Sequence, residues 1–219
     1  MNLSFTLSAL APFAVALTCA GAATPVNAGT VFINELHYDN TGADEQEFVE
    51  LAGPADTDVT GWSLVLYNGG NGKPYRTVNL TGVIDNEVDD FGALGVSVPG
   101  IQNGAPDGIA LIDSAGAVVD FISYEGNFDA VAGPATGNVS KDINVAETGT
   151  DPAGLSLQLV GLGNESSAFT WGGPSPSSFG DLNLGQTLAP VPLPSGIWLL
   201  TGAIGATLYR HRATKVLAS

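Results

Sequence analysis

Cysteine is almost absent from this sequence. One of its 219 residues is a cysteine, Cys19, and it lies in an apolar N-terminal stretch. If that stretch is removed after export, the remaining chain has no disulfide and no thiolate metal site. The body of the chain also has a single histidine, His37. A zinc site would then need almost only carboxylate ligands, so zinc is excluded as a first choice of metal.

Basic residues are scarce as well. Six lysines and arginines stand against 22 aspartates and glutamates, which gives a formal net charge of −16. All 22 acidic residues lie between Glu35 and Asp181, where three residues are basic, so this body carries a charge of −19. Such a surface repels phosphate backbones, which proteins bind through lysine and arginine. We therefore expect no nucleic acid as a partner.

No stretch of the body shows a convincing helical pattern, whereas glycine and proline are frequent. The 29 glycines and 13 prolines interrupt the chain at short intervals, which is typical of short strands joined by tight turns. Hydrophobic residues make up 44% of the chain, which is too many for a disordered protein. The roughly 160 residues between the two ends suffice for one domain with a single core.

Alternating and β-branched residues predict about nine strands. In WSLVLY at 62–67, Trp62, Leu64 and Leu66 would share one face. EFVEL at 47–51 alternates apolar and acidic residues, as a half-buried strand does. The other predicted strands are 30–38, 77–80, 94–98, 108–112, 118–124, 155–160 and 168–171.

Turn-forming residues separate these strands. NGGNGKP at 68–74 predicts a loop, DSAG at 113–116 predicts a hairpin, and the glycine-rich 126–154 predicts a long loop. Many short strands without helices favour an all-β, immunoglobulin-like antiparallel β-sandwich.

Four pieces of the body carry a resemblance to a known family. They are INE at 33–35, EFVEL at 47–51, GW at 61–62 and DGIAL at 107–111. In this order, and followed by SLQL and FTW, they resemble the bacterial lamin-tail domain. The resemblance implies an immunoglobulin-like extracellular or periplasmic module, with its core at 29–125 and a long loop and closing strands at 126–189.

Residues 1–28 have the form of a secretory signal peptide. An apolar stretch is followed by small residues, and cleavage is expected after Ala22 or after Ala28. Positive charge comes from the amino terminus alone, which departs from the usual pattern. One alternative is a buried N-terminal helix. Another is a lipoprotein modified at Cys19, although the residues before Cys19 match that motif poorly.

The C-terminal segment, 190–219, predicts a short transmembrane helix. The 19 residues from Val191 to Tyr209 carry no charge and would span about 28 Å as a helix, close to the hydrocarbon thickness of a bilayer. Arg210 and Arg212 follow at once, as expected for a basic stop on the cytoplasmic side.

The start of this segment resembles a sorting signal. Its motif is Val191, Pro192, Leu193, Pro194, Ser195 and Gly196. Followed by an apolar helix and a basic cluster, it resembles the VPLPA variant of the PEP-CTERM signals, with serine in place of the final alanine. The resemblance implies an exosortase-type processing enzyme as partner. It also implies transient anchoring in the inner membrane before release to the cell surface or the exterior. A permanent anchor is the alternative.

Candidate catalytic groups are few. His37 stands beside Tyr38 and Asp39, but there is no nucleophile elbow and no second partner at a diagnostic spacing. A structural or rim role therefore fits His37 better than that of a general base. Glu47 and Glu50 differ by an odd number, so they would face opposite sides of a strand, which argues against a catalytic pair of carboxylates.

Calcium is the one cofactor that the sequence suggests. The acidic loop DNTGADE offers the side-chain oxygens of Asp39, Asp44 and Glu45, which are the hard ligands that Ca²⁺ prefers. DNEVDD at 85–90 is a second such loop. Neither has the EF-hand spacing, so solvated acidic loops are the alternative.

These observations predict an exported, exosortase-sorted surface or matrix protein that acts as a non-catalytic binding or structural module. Expected partners are envelope or exopolysaccharide components, and the membrane during sorting. Because lamin-tail domains are often joined to nucleases, phosphatases or membrane anchors, an accessory role in a nuclease or phosphatase system, or a weak hydrolase, is the alternative.

Overall fold

The computed structural model describes residues 30–188, where all regular secondary structure is β-strand except one turn of 3₁₀ helix at Ser166–Ala168. The strands are β1 (Phe32–His37), β2 (Phe48–Pro54), β3 (Ser63–Asn68), β4 (Lys73–Asn79), β5 (Phe91–Ser97), β6 (Asp107–Ile112), β7 (Val118–Tyr124), β8 (Lys141–Asp142), β9 (Leu155–Gly163), β10 (Phe169–Pro176) and β11 (Gln186–Leu188).

The strands form two sheets. The first sheet has the order β10-β9-β1-β2-β5, with β11 added to β9, and the second has the order β4-β3-β6-β7-β8. Neighbours are antiparallel except β11 on β9 and β8 on β7, which are parallel. The predicted all-β class and its sandwich character are confirmed.

The main core lies between the two sheets. Ile33 and Leu36 of β1 pack in one cluster with Leu64 and Leu66 of β3, and each of these four side chains is fully buried. Trp62 packs partly buried against the same cluster, so the predicted common face of Trp62, Leu64 and Leu66 is confirmed. Burying an aliphatic side chain of this size stabilises the fold by about 1.5–3 kcal/mol.

A smaller cluster covers the outer face of the second sheet. Tyr67 of β3 and Phe121 of β7 pack there against Phe128 and Ala135 of the segment that follows β7. The hydroxyl of Tyr67 accepts a hydrogen bond from the amide of Ala135 at 2.9 Å. The long loop predicted at 126–154 is confirmed, with only the two-residue β8 inside it, and part of it packs as a cover for this sheet.

Three strand features differ from the sequence prediction. β4 begins at Lys73, inside the segment predicted to be a loop, because Lys73 pairs with Asn68 and closes a tight hairpin. Gly72 adopts a positive φ of 65° in that turn, a conformation that glycine accepts without strain. The short strands β8 and β11 were missed, since two or three residues carry no readable alternation.

Residues 177–185, here the covering segment, cross the outer face of the first sheet. The backbone amide of Ser178 donates to Glu35 at 3.0 Å, and that of Gly180 donates to Glu50 at 2.7 Å. Phe48 to Gly53 are all buried, so the prediction of a half-buried strand at 47–51 is wrong. Glu50, an acidic residue of this alternating segment, faces hydrogen-bond donors and not water.

Residues 30–188 contain no helix with the length and hydropathy needed to cross a membrane. The signal peptide predicted at 1–28 and the transmembrane helix predicted at 190–219 lie outside the described residues.

Candidate functional site

A pocket lies at one end of the first sheet. The strands β1, β5 and β10 end there, and β2 and β9 begin there. Its volume is about 310 Å³. Its lining residues include His37, Gln46, Glu47, Phe48, Ser97, Leu155, Ser177 and Phe179.

His37 forms part of the pocket wall and is held on both sides of its ring. Nδ1 lies 2.8 Å from Oε1 of Glu147, and Nε2 lies 3.0 Å from the carbonyl oxygen of Glu45. Both neighbours are acceptors, so both ring nitrogens donate only when the imidazole is protonated. Burial lowers the pKa of His37, but Glu147 and the carbonyl of Glu45 raise it, and the net direction is upward.

Glu147 fastens the loop after β8 to the end of β1. Its Oε2 accepts the backbone amides of Tyr38 at 2.6 Å and Asp39 at 3.0 Å, while Oε1 accepts from His37. Both ring nitrogens of His37 are therefore engaged in hydrogen bonds within the protein. This is what the structural role predicted for His37 requires. Sequence reasoning missed Glu147, because it stands 110 residues from His37 in a segment without a motif.

The protonated state of His37 is open to test by NMR. We expect its imidazole signal in the full chain to titrate with a midpoint above the ordinary value of 6.5. A raised folded pKa means that the His37–Glu147 pair stabilises the fold below about pH 6.5, and that this contribution is lost as pH rises through the folded pKa. The His37→Gln variant identifies the signal, and a midpoint at or below 6.5 would refute the protonated pair.

Two phenylalanines form the apolar part of the pocket. Phe48 of β2 and Phe179 of the covering segment meet edge to face, with ring centroids 4.8 Å apart. A Cβ placed on Gly95 would come within 2.6 Å of the Phe179 ring, so the glycine in β5 lets this ring lie directly on the sheet. Phe179 is nevertheless 48% exposed and presents part of its ring to solvent.

The rim of the pocket is polar. Gln46 and Ser97 are exposed, and within residues 30–188 their side chains make no hydrogen bond. The carboxylate of Glu47 accepts the backbone amides of Gly100 and Ile101 and so closes the turn after β5. Gln46 and Ser97 are thus free for an external partner, whereas Glu47 is engaged.

Two buried glutamates lie side by side under the covering segment and do not line the pocket. Glu35 and Glu50 face each other across β1 and β2, and both are fully buried. Glu35 accepts hydrogen bonds from the hydroxyls of Ser156 at 2.5 Å and Ser178 at 2.7 Å. Burial, and then the charge of Glu35, raise the pKa of Glu50 to about 8.

Further hydrogen bonds complete the attachment of the covering segment. Glu87 accepts the amide of Leu182 at 2.8 Å. The side-chain amide of Asn183 donates to the carbonyl oxygens of Asn34 and Leu159, each at 3.0 Å. Since the acidic groups here accept hydrogen bonds from backbone amides of the covering segment, their arrangement serves to hold the segment on the sheet.

The acidic loop proposed for calcium is stabilised internally. The side-chain oxygen of Asn40 accepts the amide of Glu45 at 2.9 Å, and burial and the neighbouring Asp44 raise the pKa of Asp39. Between residues 30 and 188 there is no group of three or more His, Cys, Asp or Glu side chains that could hold a metal ion. Calcium binding by Asp39, Asp44 and Glu45 stays a prediction.

Comparisons with protein families, with curated proteins and with solved structures find no match to this chain. The sorting motif at 191–196 and the basic residues Arg210 and Arg212 lie outside the described residues.

Proposed function

We propose that this is an exported protein of the lamin-tail type, sorted to the cell surface through its C-terminal signal, where it acts as a non-catalytic binding or structural module. One observation carries the proposal. Both ends of the described chain lie toward one end of the first sheet, and the pocket lies at the other.

The strand pairing establishes this arrangement. β11 runs parallel to β9 and ends with Leu188 beside Gly163, the last residue of β9. β1 runs antiparallel to β9, so its first residue, Phe32, lies toward the same end. Leu155, which lines the pocket, is the first residue of β9. Eight strand steps of about 3.3 Å separate Leu155 from Gly163, so the pocket lies about 26 Å from the ends.

This geometry suits a protein held at its C-terminal side. A membrane segment beginning soon after Leu188 would place the pocket on the side of the domain that points away from the membrane. The charge of −19 in the body also suits an exterior position, because like charge on neighbouring molecules opposes aggregation. Envelope or exopolysaccharide components are the partners that we propose at that exposed end.

The contacts of the chemistry-bearing side chains support a non-catalytic role. Both ring nitrogens of His37 are occupied by internal acceptors, and both carboxylate oxygens of Glu47 accept backbone amides. Asp39, the other candidate partner of His37, is not among the residues that line the pocket. The accessory-domain and hydrolase alternatives therefore gain no support from the pocket.

The sorting step is tested by expressing the full chain in a host with and without an exosortase. We expect the wild-type protein to lose its C-terminal residues only when the exosortase is present, and to leave the membrane fraction. The Pro192→Ala/Pro194→Ala variant should keep its full C-terminus and stay in the membrane fraction. Intact-mass measurement of each fraction distinguishes these products.

Pro190→Ala is the matched control, because it changes a proline just outside the motif. It should be processed like the wild type. If wild-type protein has the same C-terminal mass in both hosts, the sorting proposal fails, and recovery of the protein in the membrane fraction would then identify a permanent anchor.

A further inference from the structure

We infer that the pocket at the end of the first sheet binds one neutral sugar ring, a pyranose unit of a glycan. This inference rests on the proposed function for the kind of partner, but the site itself is argued from its own contacts.

The size of the pocket limits the ligand to one ring. A volume of about 310 Å³ is at the lower limit of ordinary ligand pockets, which run from about 300 to 1,000 Å³. An extended peptide strand or a lipid chain would not be enclosed. A single six-membered ring with its substituents fits a space of this size.

The chemistry of the walls matches a ring with one apolar face and a polar edge. The half-exposed ring of Phe179, steadied by Phe48 at 4.8 Å, offers an aromatic surface for the C–H face of a pyranose. Gln46 and Ser97 at the rim have donors and acceptors that no other residue of the described segment uses. The hydroxyl groups of a sugar both donate and accept hydrogen bonds, so they can pair with the side-chain amide of Gln46 and with the hydroxyl of Ser97.

The charges around the pocket favour a neutral ligand. Among residues 30–188 no lysine or arginine lines it, and the strongly acidic body repels anions. Glu47 also gives little attraction to a cation, because both of its oxygens already accept backbone amides. His37, on the same wall, has both ring nitrogens hydrogen-bonded to internal groups, so neither nitrogen is left to coordinate a cation.

The inference is tested by NMR titration of the full-length chain with methyl glycosides of glucose, mannose and galactose. For a ligand of about 13 heavy atoms we expect a Kd on the order of 1 mM for at least one of them. Shift changes should be confined to the pocket residues. Glucuronate tests an anion of the same shape, and choline tests a cation.

The Phe179→Ala variant should weaken binding about tenfold, the order of effect expected for the loss of an aromatic contact. Leu184→Ala is its control, because Leu184 lies in the same covering segment, is 92% exposed and does not line this pocket. It should bind like the wild type. Binding that survives Phe179→Ala overturns the assignment.

No binding of any glycoside at 50 mM, or tighter binding of glucuronate or choline than of every glycoside, also overturns it. These results are independent of the sorting experiment. Failed sugar binding with correct processing removes only the pocket assignment, while sugar binding without processing removes only the sorting route.

Discussion

Replacing Glu147 with alanine is expected to lower the free energy of unfolding by about 3–5 kcal/mol, the usual cost of removing one partner from a buried charged pair. The side chain of Glu147 is fully buried. It accepts hydrogen bonds from the ring of His37 and from the backbone amides of Tyr38 and Asp39. The variant leaves these three donors without an acceptor at the end of β1. Urea denaturation should show a lower midpoint with an unchanged slope.

Glu165→Ala provides the matched control for this loss. Glu165 is exposed and its side chain caps nothing, so its removal should change the stability by less than about 0.5 kcal/mol. Glu147→Gln keeps the shape and one acceptor oxygen and should fall between the two. Equal losses in Glu147→Ala and Glu165→Ala would show that the attachment of the loop after β8 contributes nothing to stability.

The stability of the wild-type protein is expected to decrease as pH rises from about 5 to above 8, by about 4 kcal/mol from Glu50 alone. Burial, and then the charge of Glu35, raise the pKa of Glu50 from 4.5 to about 8 in the folded chain. A raised folded pKa favours folding below the unfolded value, and this contribution is lost as pH rises through the folded value. Denaturation midpoints measured at half-unit pH steps would follow the change.

Glu50→Gln isolates the contribution of Glu50, because the raised pKa of His37 acts in the same direction. The variant cannot ionise at this position, so it should lose most of the slope between pH 5 and 8 and keep the part due to His37 and to the aspartates whose pKa is also raised. Glu165→Gln should keep the full slope. A variant slope equal to that of the wild type would show that Glu50 is not the group that titrates.

Most strands were predictable because the signal for a strand is local. In β6 and β7 the apolar alternation and the DSAG turn between them lie within 20 residues, and the hairpin forms as predicted. β11 shows the opposite case. Its three residues pair with β9 because the covering segment, which precedes β11 in the chain, crosses the sheet and brings them there. No local pattern contains that information.

The burial of Glu50 marks the limit of pattern reasoning in this chain. Its place in EFVEL indicates a solvent-facing acid, and this would hold if the outer face of the first sheet were open. The covering segment reaches that face from 130 residues further along the chain, where Gly180 donates to Glu50. Whether an acidic residue in a strand is solvated or buried depends on what packs over it. The alternating sequence pattern predicts only which face of the sheet the residue lies on.

The sequence by itself determined the all-β class, most strand positions, the acidic character of the body and the two terminal segments for which processing is predicted. Each of these depends on composition or on residues close together in the chain. Only the tertiary structure decided which side chains meet. It paired His37 with Glu147, placed Glu50 beside Glu35, and brought Phe179 onto Phe48 to form the pocket. Contacts of this kind form when distant segments pack together, because burial and hydrogen bonding act on whatever groups the fold brings within a few ångströms.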